Sequence, residues 1–123
     1  MDLFTPDELQ EAGRPIASLM SKSEKAQQKL APGTWQHAML RDNLKALRLA
    51  SALMNEGSAE TDPFTREDLE EARRAVVAMI SRAEKARAKF APGTSQDALQ
   101  RNRIKALSVA EAMMKNEIGK RNG

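Results

Sequence analysis

Apolar and small residues recur at alternating steps of three and four at Leu9, Ala12, Ile16, Leu19, Ser23, Ala26 and Leu30. That spacing lines one face of an α-helix and predicts a helix that starts after Thr5 and ends before Pro32. Thr5-Pro6-Asp7-Glu8 supplies the start: a capping hydroxyl, proline at the first helical position, and glutamate placed to close a capping box. Thr34 then opens a second helix, whose stripe runs through Leu40, Leu44, Leu47, Ser51 and Met54, widened by Ala46, Ala50 and Leu53. The same two stripes return later in the chain. One uses Leu69, Ala72, Val76, Met79, Ala83, Ala86 and Phe90 after the cap Thr65. The other uses Ile104, Leu107 and Met114, widened by Ala106, Ala110 and Met113, after the cap Thr94.

The recurrence is a tandem duplication. Sliding the chain by 60 residues aligns Phe4–Glu56 with Phe64–Asn116 without a gap, and 24 of those 53 positions are identical. Each unit reads as two helices of about 22–25 residues, roughly 33–38 Å long. The four residues Ala31–Thr34, and again Ala91–Thr94, form a connection so short that each pair must be an antiparallel hairpin. The expected architecture is all-α: two helical hairpins packed as a pseudo-twofold four-helix bundle, its rival being a homodimer or larger assembly to which each chain contributes its apolar faces. Residues 1–56 form the first hairpin, 57–63 a linker, 64–118 the second hairpin and 119–123 a polar tail, with 4–118 as one folded domain. Gly13 and Pro15 break the first helical pattern, and the missing proline donor predicts a kink or a start delayed to near Arg14.

Composition narrows the chemistry. The chain of 123 residues has no cysteine, one histidine, three Phe, one Trp and no Tyr, which removes disulfides, thiolate metal sites and cysteine nucleophiles. A metal site built from several histidines is excluded within one chain. Glu11, Glu24, Glu71 and Glu84 recur in both units, but the Glu-x-x-His pairs of a di-metal bundle are missing. No phosphate-binding glycine loop or serine elbow is present. The reading is therefore non-enzymatic, without cofactor or metal. The sequence contains no apolar run long enough for a membrane span, and the acidic start lacks a secretory pattern, so a cytoplasmic location is expected. The net charge of +3 is uneven, with seven Lys/Arg against eight Asp/Glu in residues 1–60 and thirteen against nine in 61–123.

Four features are candidates for function or for turn structure. His37 and its counterpart Asp97 stand in the first turn of a helix and read as polar or capping residues. Glu24 with Arg41, and Glu84 with Arg101, fall at matching heights in their hairpins and predict an interhelical ion pair in each unit. The retained turns place Lys29, Thr34, Arg41 and Lys45 in one unit, and Lys89, Thr94, Arg101 and Lys105 in the other. With free amides at a helix N-terminus, these could hold a small nucleotide-like anion. Gly33 and Thr34 are equally the residues that a tight turn and cap require. Trp35 has no aromatic counterpart, since Ser95 stands there; it either folds onto the loop or is exposed as a partner anchor. Arg82, Lys85, Arg87, Lys89, Arg101, Arg103 and Lys105 supply the basic part of a nucleic-acid footprint without the interleaved aromatics.

Taken together, Ser/Ala-Glu-Lys-Ala, Lys-Leu/Phe-Ala-Pro-Gly-Thr-x-Gln and Leu/Ile-Lys-Ala-Leu in each unit resemble small bacterial helical-hairpin proteins of uncharacterised function, here in tandem. The resemblance implies no activity, cofactor or catalytic residue. The function expected from the sequence is a helical interaction or scaffold module of a bacterial or phage regulatory system, acting on a protein partner or by self-association. Its alternatives are anion binding at the two turns and weak nucleic-acid binding through the second unit.

Overall fold

A computed structural model describes residues 3–56 and 64–121; the proposed linker 57–63 and residues 122 and 123 lie outside the described residues. Within them the protein is all-α, with helices α1 (Pro6–Gln28), α2 (Trp35–Glu56), α3 (Arg66–Arg87) and α4 (Ser95–Arg121). The predicted capping box at Thr5 forms, and the cap Thr65 proves to be part of a second one. The Glu8 amide donates to Thr5 Oγ1 at 3.1 Å while Thr5 N–H donates to Glu8 at 2.9 Å, and Asp68 and Thr65 repeat the exchange at 3.0 Å each way. α1 starts at Pro6 and runs unbroken through Pro15, so the delayed start near Arg14 does not occur. The cap pins the first turn. The bond that Pro15 omits belongs to the carbonyl of Glu11, an exposed residue whose surroundings leave room for water.

The connections are longer than the four residues expected. α1 ends at Gln28 and α3 at Arg87, because the next amides tighten to the third residue back: Leu30 N–H to the Gln27 carbonyl at 3.1 Å and Phe90 N–H to that of Arg87 at 3.0 Å. Gly33 and Gly93 then take φ of 95° and 87°. A Cβ there would meet nothing within 4 Å, so glycine is required by backbone conformation, not by space. Thr34 and Thr94 cap the following helices, accepting from the amides of His37 and Asp97 at 3.2 Å. At the far end, α4 continues to Arg121, and the expected polar tail is helical as far as the structure describes it. Ile118 packs against the core and Glu117 is buried beside Lys120 at 3.4 Å, which gives that last stretch a reason to stay wound.

Contacts that cross each hairpin run in opposite directions along the two helices, the mark of antiparallel pairing. Gln27 meets His37 and Glu24 meets Arg48, while Arg87 meets Asp97 and Arg73 meets Glu111. Besides its own partner, each hairpin touches the other through α2 on α3, α1 on α4, and α2 on α4. The core has a 60-residue echo: Ile16 with Val76, Leu47 with Leu107, Ala50 with Ala110 and Met54 with Met114 are all buried. α2 faces three neighbours, so it also buries Leu49, which lies outside the predicted stripe. The stripes fray toward the turns, where Ala26 and Phe90 are exposed.

Candidate functional site

The two turns share a backbone and differ in what fills them. In the second, the Asp97 carboxylate is 5% exposed and accepts from Arg87 Nε at 3.0 Å and from the Gly93 amide at 3.3 Å, with Arg101 Nε at 3.4 Å. The hydrogen bond from Arg87 chiefly, then the Gly93 amide and the nearby positive charge, hold its pKa below the usual carboxylate value against the opposing effect of desolvation. The place where an external anion would sit is thus taken by the chain's own carboxylate. In the first turn the same three positions are Gln27, His37 and Arg41. Gln27 Nε2 donates only to the His37 carbonyl, at 3.4 Å, and no carboxylate reaches Gly33 among the described residues. Asp97 therefore does more than the capping role its position suggested; the paired signal was Gln27 and His37 changing together to Arg87 and Asp97.

The candidate anion residues do not all converge. Thr34 and Thr94 spend both hydroxyl functions on the turn, accepting from the capped amide and donating to the carbonyls of Ala31 at 2.9 Å and Ala91 at 2.8 Å. Lys45 is drawn to Asp68 of α3 at 3.6 Å, and Lys105 lies near Glu8, whose pKa is lowered mainly by the Thr5 amide and also by that lysine. Lys29 and Lys89 are exposed on the connections. Arg101 stays at its turn on Asp97, while Arg41 lies 3.7 Å from Asp42.

The predicted ion pairs are corrected. Glu24 meets Arg48 at 3.8 Å instead of Arg41, and Arg101 meets Asp97 instead of Glu84. Helix side chains lean toward their own N-terminus, so in an antiparallel hairpin Glu24 leans away from the turn while residues of α2 lean toward it. The partner therefore lies further along α2 than equal height suggests. Ser108 stands at the position of Arg48 in the second unit, and no ion pair of Glu84 forms among the described residues.

Between the hairpins run two grooves built from corresponding positions. Glu8, Ala12, Lys105 and Ala106 line the α1–α4 groove, and Asp68, Ala72, Lys45 and Ala46, their counterparts 60 residues away, line the α2–α3 groove. The first has 370 Å³ and the second 720 Å³. The larger extends to Trp35, which is 70% exposed: of its two expected states, the chain adopts the exposed one. No helix is long and apolar enough among the described residues to cross a membrane.

Comparison with family models, with curated proteins and with solved structures finds no match to this chain, so the site is read from its own geometry.

Proposed function

We propose that the two hairpins form a pseudo-twofold four-helix bundle that acts as a non-enzymatic interaction module, with Trp35 as the anchor for a protein partner. The observation that carries this reading is the exposure of Trp35, the one tryptophan of the chain, at the rim of the larger groove. A large aromatic left in water costs hydrophobic free energy that a bound partner would recover, and tryptophan is a frequent hot-spot residue. Support for the bundle comes from the paired grooves and from the α2–α3 and α1–α4 contacts that relate to each other by the repeat. The test is affinity capture with the full chain and with Trp35→Ser, the residue that the second unit carries. The reading expects a partner held by the native chain and lost by the variant, with unchanged melting. The same proteins captured by both would overturn the role of Trp35.

The anion reading contracts to the first turn. There Lys29, Gly33 and Arg41 face no internal carboxylate like Asp97, whereas Lys89, Thr94 and Arg101 surround a turn that is already filled. Phosphate titration should then perturb the amide resonance of Gly33 and leave that of Gly93 unmoved. Nucleic-acid binding through the second unit loses Arg87 and Arg101 to Asp97. What remains of it predicts a steep loss of binding with salt.

A further inference from the structure

The α2–α3 groove is larger than its counterpart, and several of its lining positions differ across the repeat. Trp35, Asn43, Ala78 and Arg82 occupy the places that Ser95, Arg103, Ser18 and Lys22 hold across the repeat. The exchange of Arg103 for Asn43 shortens a side chain at the floor, and Ala78 for Ser18 makes the wall apolar. Asn43 is only 7% exposed, lines the groove, and has no hydrogen-bond partner among the described residues. Its amide atoms are not among the buried atoms left without a partner, so they open onto the groove and stay available to a ligand. On the α3 side, Arg74, Ala78 and Arg82 stand four residues apart on one helical stripe, and neither guanidinium has a carboxylate within 4 Å among the described residues. The groove also carries three carboxylates: Asp68 engages Lys45 at 3.6 Å, Asp42 lies 3.7 Å from Arg41, and Glu71 lines the α3 wall, none of them within 4 Å of Arg74 or Arg82.

We infer that this groove is a binding site for an aromatic organic anion: a flat apolar ring system carrying a carboxylate, phosphate or sulfonate. Its ring lies over the alanine walls with Trp35 stacked at the mouth. Its acid group takes charge-assisted hydrogen bonds from Arg82 and Arg74. A polar atom of the ring or its substituent meets the Asn43 amide, which both donates and accepts. The 720 Å³ of the groove falls in the range of small-molecule sites, which pair mostly apolar walls with a few placed polar groups. The inference shares Trp35 with the partner reading, but probe binding to the isolated chain and capture of a protein partner fail separately.

The test uses the full chain and two probes of equal ring size. One is 1-anilinonaphthalene-8-sulfonate, an aromatic anion, and the other is N-phenyl-1-naphthylamine, which lacks the charge. Saturable one-to-one binding of the sulfonate to the folded protein is expected, with energy transfer from Trp35. Arg82→Glu should weaken the sulfonate about tenfold or more, the loss of one charge-assisted contact, and leave the neutral probe nearly unchanged. Asn43→Leu supplies the second arm, since it should raise the melting temperature while weakening the probe, a pair of effects that a purely structural asparagine would not give. Lys22→Glu, at the counterpart of Arg82, should change nothing. Equal binding of both probes, binding that never saturates, or sulfonate affinity indifferent to Arg82 and Asn43 would overturn the site.

Discussion

The two hairpins are one design with two uses of the same positions. In the second turn, Arg87, Asp97 and Arg101 close on one another, so polar groups there are consumed by the fold. In the first, Gln27, His37 and Arg41 leave the corresponding place open, and Trp35 projects into water where Ser95 stands in the other copy. Ion pairs to a buried carboxylate close the second turn, while the first leaves a tryptophan in water that fold stability alone does not explain. Duplication makes such a division workable, because the shared core at Leu47 and Leu107 supports either kind of turn.

The comparison breaks most visibly in the core. Leu47→Ala and Leu107→Ala each remove a side chain that is essentially wholly buried, and each should cost about 2–5 kcal/mol by denaturant melting. The two costs should be close, since the positions are equivalent; a large disparity would deny that the core is shared. Next come the caps. Thr34→Ala should cost about 1 kcal/mol, while Thr94→Ala should cost less because Asp97 still braces Gly93 directly.

The filled turn should also report itself through pH. Asp97 has a lowered pKa when folded, so its contribution is full above the ordinary carboxylate range near 4 and is lost as pH falls through the lowered value. Asp97→Asn should therefore melt below the native chain at neutral pH and converge with it in strong acid, whereas His37→Asn should show no such acid-range convergence. The converse graft, Gln27→Arg with His37→Asp, places the same trio in the first turn beside Arg41 and should raise neutral-pH stability in an acid-sensitive way. The smallest effect belongs to Glu24 and Arg48, both exposed. A double-mutant cycle should give about 0.2–1 kcal/mol of coupling there, and none between Glu84 and Ser108.

Much of the fold was legible from periodicity, capping residues and the repeat, because these act locally. Thr5, Pro32, Gly33 and Thr34 each impose their own backbone geometry on their neighbours. What escaped depends on side-chain direction and on several helices meeting. Equal height proposed Arg41 for Glu24, and only the lean of helical side chains selects Arg48. Burial of Leu49 follows from α2 lying against three helices, which no single stripe encodes. The groove at Asn43 was equally hidden, since a polar residue near an apolar stripe reads as surface until its neighbours are placed. Gly13 and Pro15 misled about where α1 starts, because a well-capped helix tolerates one missing bond on its exposed side.

The proposed approximate twofold between the hairpins is tested most directly by distances across them. The chain has no cysteine, so spin labels can be placed at will. Labels at positions 11 and 102 span the α1–α4 groove, and labels at 71 and 42 are their repeat-related counterparts across the α2–α3 groove. Pulsed electron–electron resonance should return closely matching distances for the two pairs in the full chain at low concentration. Distances that differ by more than the label linkers allow, or one pair resolved and the other broad, would contradict it.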